Sequence, residues 1–154
     1  MEGFSKYFTF EELTDTSHKN LLTKNRLDAM RYINSGKRLS KLLQSIREVL
    51  GNYPITITSG FRNSDVNLAV GSRVTTSSHT KFEAADIIPS NISVKGALDK
   101  IMLEVKNRNL QDLKKVIIEQ VGGKKWLHIQ VKMSSEDQVS FWATTDGKNY
   151  TQIS

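Results

Sequence analysis

Two of the three histidines in this chain stand where they could do chemistry. His79 lies in "SSHTKFEAAD", seven residues before Asp86, and His128 lies in "WLHIQV". The chain has no cysteine. A catalytic thiol, a disulfide and a thiolate metal site are therefore excluded, and a transition-metal site must be built from His, Asp and Glu. Two imidazoles and one carboxylate, with a fourth position left to water, are the ligand set of catalytic zinc. Such an ion lowers the pKa of its water toward ~7 and makes hydroxide available near neutrality. The other reading is a strand histidine and a loop histidine that never meet, each satisfied where it stands.

Which reading holds depends on the elements that carry these residues. In "WLHIQV" the alternation puts Leu127, Ile129 and Val131 on one face and Trp126, His128 and Gln130 on the other. In "AADII", Ala85 and Ile87 point inward while Asp86 shares the opposite face. If the apolar sets pack on helices, both imidazoles and the carboxylate can converge on one open face of a sheet.

Around these strands the chain reads as α+β, a small mixed or antiparallel sheet with helices on one face. Thr9 and Glu12 form a capping box for a short helix. A second helix is expected after Thr23, ending near "NSGK", and a third from Leu39, where Leu42, Leu43, Ile46, Val49 and Leu50 make an apolar stripe stopped by Gly51. "YPITITSG" reads as a strand turning at Gly60. Residues Phe61 to Lys81 read as a long loop of the kind that often carries function. Ser93 caps the next helix, and "VGGK" joins the strands "KKVIIEQ" and "KWLHIQVK" in a hairpin. The tail, residues 132–154, is expected to add a last hairpin turning at Asp146 and Gly147. No linker or repeat divides residues 1–154, so a single domain is expected.

Composition narrows the function classes. With 38% hydrophobic and 25% charged residues the chain is globular in type. No apolar run approaches the roughly 20 residues that span a bilayer, and the amino terminus lacks the basic-then-apolar order of a secretion signal. The expectation is synthesis in the cytoplasm, with later release or incorporation into a virion. The net charge of +6 suits an anionic partner, either nucleic acid or a cell-wall polymer. The basic residues are scattered among acids, however, and no zinc-knuckle spacing or phosphate-cradling loop accompanies them, which argues against nucleic acid as the partner.

In order, "SGFRN", "NLAVGS", "SSHTKFEAADI" and "WLHIQV" resemble the motifs of the zinc D-alanyl-D-alanine carboxypeptidases and L-alanyl-D-glutamate endopeptidases, in their phage and bacterial branch. The fold of that superfamily is shared with the hedgehog signalling domain. The likeness runs from about Phe8 to Val131. The signature Ser-x-His-x-x-Gly-x-Ala-x-Asp falls on Ser77, His79, Phe82, Ala84 and Asp86, and Trp-x-His falls on Trp126 and His128. The resemblance implies a Zn2+ cofactor on His79, Asp86 and His128, with Arg62, Ser77 and Trp126 beside the substrate and Arg62 also placed to hold the reacting carbonyl. Asn67 and Gly71 are expected to shape the loop. His18 has no place in the pattern and is expected to be exposed.

Two residues depart from the pattern. Phe82 stands where the family has glycine, and it could plug the pocket, form an aromatic wall or mark a shifted loop. Lys125 stands where many relatives have an acid, and the phage-like branch points instead to Glu119 as general base. The resemblance implies a zinc metallopeptidase cutting peptide bonds in bacterial peptidoglycan stems, as an endolysin or a virion-associated hydrolase. The alternative is a structural or wall-binding virion protein that keeps the site while Phe82 blocks turnover.

Overall fold

The structure, a computed structural model, describes residues 1–72 and 77–154. Six strands form one sheet in the order β1-β2-β4-β3-β5-β6: β1 (Ile55–Ser59), β2 (Ala84–Pro89), β3 (Leu113–Val121), β4 (Lys124–Val131), β5 (Ser140–Thr144) and β6 (Thr151–Gln152). All neighbours are antiparallel except β3 and β5, which run parallel. The helices are α1 (Phe10–Leu13), α2 (Leu22–Ala29), α3 (Ile33–Val49), α4 (Ser64–Ala69) and α5 (Val94–Lys106). The expected α+β class and the mixed sheet are both present.

One face of the sheet is the core. Ala85 and Ile87 of β2, Leu127, Ile129 and Val131 of β4, and Val116 of β3 are all fully buried against α3 and α5. Leu39, Leu43 and Ile46 of α3 and Ala97, Leu98 and Ile101 of α5 meet them, and each large side chain contributes about 1.5–3 kcal/mol of burial. The local signals behave as expected. Thr9 Oγ1 accepts from Glu12 N–H at 3.2 Å and Ser93 Oγ from Gly96 N–H at 2.9 Å. Gly122 and Gly123, at φ 58° and 82°, turn the β3–β4 hairpin in two residues, a twist that fits a hairpin and that other residues resist.

Three expectations need correction. The helix expected to end near "NSGK" ends earlier, at Ala29, and α3 starts at Ile33 and runs straight through Gly36. Gly36 is a contact point and not a stop, since a Cβ there would lie 2.6 Å from Cε2 of Phe82. The stretch from Phe61 to Lys81 is not a plain loop. Asn63 Oδ1 accepts from Val66 N–H at 2.8 Å and starts α4, and a 3-10 turn covers Ser78–Lys81. Residues 73–76 of that stretch lie outside the described residues. Asn67 is buried in α4, with Gly71 just beyond it at φ 86°. Lastly, His18 is half-buried ahead of a short 3-10 turn and does not line the cleft described below.

Candidate metal and catalytic site

The open face of the sheet carries the site. Register pairs Asp86 of β2 with His128 of β4, and His128 in turn with Ile117 of β3. The alternation that buries Ala85, Ile87, Leu127 and Ile129 therefore turns Asp86 and His128 together to the other side. His79 reaches them from the 3-10 turn, where Ser77 Oγ accepts its backbone N–H at 3.3 Å. Asp86 Oδ1 lies 3.4 Å from His79 Nε2 and 3.1 Å from His128 Nδ1. The three ligand atoms are within 4.8 Å of one another.

These separations suit a shared ion, because two ligands ~2.1 Å from a tetrahedral metal lie about 3.4 Å apart. The outward nitrogens suit it as well. His79 Nδ1–H donates to the Gly60 carbonyl at 2.8 Å, which leaves Nε2 as the inward lone pair. His128 Nε2 faces Ser78 Oγ at 3.4 Å, so a proton held there frees Nδ1. Outer partners of this kind fix the tautomer and aim of metal-binding imidazoles. Burial alone would push the Asp86 carboxyl up, but the His79 and His128 imidazoles outweigh it and hold Asp86 far below the usual carboxylate range.

A cleft of about 1030 Å³ opens over these residues, and Arg62, Ser77, Glu119 and Trp126 line it. Glu119 stands opposite Trp126 in the β3–β4 ladder, and Trp126 Nε1–H donates to its Oε2 at 3.1 Å. Burial, then the charge of Asp86, raises the Glu119 pKa, against the pull of His128, Trp126 and Arg62. Arg62 is fixed through its backbone, whose N–H donates to the His79 carbonyl at 3.1 Å. Its Nε is buried without a hydrogen-bond partner among the described residues. Burial presses the guanidinium pKa down, opposed by Asp86 and Glu119. Lys125 is exposed on the strand face opposite Trp126 and does not line the cleft.

Phe82 does not enter the cleft in either of the ways that the sequence offered, as a plug or as an aromatic wall. Its backbone takes the left-handed conformation, φ 59° and ψ 33°, that glycine would adopt there. The ring points away from the cleft and is fully buried, with centroids 5.4 Å from Phe61, 6.2 Å from Phe4 and 6.3 Å from Phe10. It is neither a plug nor a wall of the site.

Two supports escaped the sequence. Asn25, fully buried in α2, donates to the carbonyls of Thr14 at 2.8 Å and Phe61 at 3.1 Å and accepts from Asn63 N–H at 2.7 Å. It thereby grips the residues on either side of Arg62. Ser78 is the other, through its contact with His128. The only sequence signal for Asn25 was a polar residue in an otherwise ordinary segment, and for Ser78 its place directly before His79 in "SSHTKFEAAD".

No curated protein matches the chain. The sequence model of the family described as Peptidase M15 does match, over residues 6–129. That span holds the first three motifs, the start of the fourth through His128, the three candidate ligand residues, Arg62 and Glu119, and the chain belongs to the peptidase M15 family.

Proposed function

We propose that this chain is a zinc-dependent peptidase that hydrolyses peptide bonds in the stem peptides of bacterial peptidoglycan. The observation that carries this reading is the convergence of His79 Nε2, Asp86 Oδ1 and His128 Nδ1 on the floor of a cleft that also holds Glu119 and Arg62. Zinc is the ion that the family and the N2O donor set favour, and when bound it would polarise the scissile carbonyl and acidify a water at neutral pH. Glu119 takes the proton from the attacking water as oxygen bonds to the carbonyl carbon. It then delivers that proton to the amine as the C–N bond breaks. A raised pKa suits both halves of this shuttle. Arg62 lines the cleft and offers its guanidinium N–H groups to the oxygen on which negative charge develops. Asn25 keeps the Arg62 backbone in place while Trp126 aims Glu119.

The biological setting proposed is a phage endolysin or virion-associated lysin acting on the wall, where a net charge of +6 favours residence on an anionic polymer. No described helix is long and apolar enough to cross a membrane. The structural or wall-binding alternative relied on Phe82 blocking turnover, and a ring buried in the core supplies no such block.

The test pairs metal content with digestion. Elemental analysis should give one zinc per chain, lost in His128→Ala, and wild-type protein should release free amines from peptidoglycan in a chelator-sensitive way. Zinc without release would favour a binding protein, and no zinc in the wild type would overturn the site.

A further inference from the structure

One wall of the cleft lies beyond the family match, which ends at residue 129. β5 runs parallel to β3 with Thr144 beside Glu119, so the chain leaves the sheet next to the candidate base. The turn that follows is tied to itself. Asp146 accepts from the backbone N–H groups of Lys148 and Asn149, both at 2.8 Å, from Asn149 Nδ2 at 2.7 Å and from Thr144 Oγ1 at 3.1 Å. Gly147 N–H donates to Thr144 Oγ1 at 3.0 Å, and the Tyr150 hydroxyl donates to the Gly147 carbonyl at 3.2 Å. This turn brings Gly147, Lys148 and Tyr150 to the cleft that contains the two histidines.

The charges of the cleft indicate what such a wall would hold. Its cations are Arg62, Lys81, Lys114, Lys115 and Lys148, against the carboxylates Glu83, Asp86 and Glu119. Asp86 is engaged by both histidines and Glu119 by Trp126. Lys114 approaches Asp137 at 3.9 Å, and Lys115 lies 6.0 Å from the centroid of the Trp142 ring. Lys81 and Lys148 have no ion pair among the described residues, but Lys81 acts on the nearby Glu83 carboxylate, whereas the acid of Lys148's own turn, Asp146, is already occupied by four hydrogen bonds. Lys148 is thus presented by a braced turn, with its charge uncommitted, to the cleft that Arg62 also lines.

We propose that the Thr144–Tyr150 turn is a substrate-binding wall and that Lys148 is its specificity-determining residue, recognising a free carboxylate of the peptide being cut. The substrate class that follows is the acidic stem peptide, preferred over the same peptide with its glutamate carboxylate amidated. This rests on the peptidase reading and refines it. Lys148 is exposed, so the recognition is that of a point charge at a wet rim, worth about 2- to 5-fold in affinity.

The test uses a synthetic stem pentapeptide with a free glutamate carboxylate and its amidated counterpart. Wild-type protein should show a KM about 2- to 5-fold lower for the acid, a preference that weakens with added salt. Lys148→Met should remove the preference by raising KM for the acid alone, with kcat within about 3-fold. Lys148→Glu should invert it, and Lys124→Met, on an exposed lysine outside the cleft, should leave it unchanged. Equilibrium binding of both peptides to Glu119→Gln, followed by Trp126 and Trp142 fluorescence, gives the same comparison without turnover. A preference that survives Lys148→Met, or a variant that loses both peptides equally, would overturn the proposal. If wild-type protein cuts neither peptide the peptidase reading fails, while equal binding of the two peptides refutes the carboxylate subsite on its own.

Discussion

Replacing Phe82 with the glycine that the sequence motif would have there distinguishes a core residue from a pocket plug. The ring is fully buried among Phe4, Phe10 and Phe61 and rests on Gly36 of α3. Deleting a buried phenylalanine side chain costs about 3–5 kcal/mol. Phe82→Gly also relieves a left-handed backbone strain of about 1–2 kcal/mol. That relief is largely offset by the extra freedom of glycine in the unfolded chain, about 1 kcal/mol. The net loss is about 3 kcal/mol, which for a domain of this size lowers Tm by about 6–12 °C.

The assay is thermal unfolding of both proteins together with kcat and KM on a stem peptide well below either Tm. Wild type and Phe82→Gly should then differ by less than about 3-fold in kcat/KM, because the ring faces away from the cleft. A variant that keeps its Tm, or one whose kcat/KM rises more than about 10-fold, would refute this assignment and restore the ring as an obstruction.

Gly36→Ala should lower stability by about 1–2 kcal/mol despite the better helix former, since its Cβ would enter the Phe82 ring. In a Phe82→Ala background the same change should be neutral or stabilising by thermal unfolding, which is a coupling that a double-mutant cycle reads directly. Glu119→Gln should cut kcat by about 10²- to 10⁴-fold while retaining zinc. The folded Glu119 pKa lies above its unfolded value, so the folded apoprotein binds more protons and stability falls as pH rises through that window. Glu119→Gln should therefore raise the apoprotein Tm at pH 7 and leave it unchanged at pH values below the unfolded pKa of ~4.3. Arg62→Lys should lower kcat/KM by about 10²-fold with metal content intact, because a lysine cannot reproduce the planar array of guanidinium donors. Asn25→Ala strands three hydrogen-bonded backbone groups and should cost about 2–4 kcal/mol, with a fall in kcat that Asn25→Asp partly recovers.

The site was legible in the sequence where its geometry follows from strand period. Once Leu127 and Ile129 face the helices, His128 must face away, and the same holds for Asp86 between Ala85 and Ile87. What the period could not supply was the register that sets Asp86 opposite His128, since that depends on how two distant strands align. The loop carrying His79 and Arg62 was less legible. α4 is short, and its start depends on Asn63, whose own backbone is held by Asn25 from another helix. Such polar braces leave no periodic trace, and neither does a tail strand that joins the sheet in parallel beside β3.

Phe82 shows most directly why a motif position can mislead when taken alone. A glycine in the motif satisfies two demands together, a left-handed backbone and a small volume. In this chain the demands are separated: Phe82 keeps the backbone at φ 59°, and the small volume sits at Gly36, on the helix that receives the ring. The histidine loop is thereby packed onto Gly36 of α3 and onto the rings of Phe4, Phe10 and Phe61, contacts that a glycine could not make. His79 follows the cap Ser77 by two residues and precedes Phe82 by three, so ring packing and imidazole position are set by the same turn. The substitution therefore acts as an anchor for the candidate metal ligand, and loosening it should first appear as weaker zinc retention during dialysis against chelator in Phe82→Gly, before any change in the chemistry of the zinc-loaded protein.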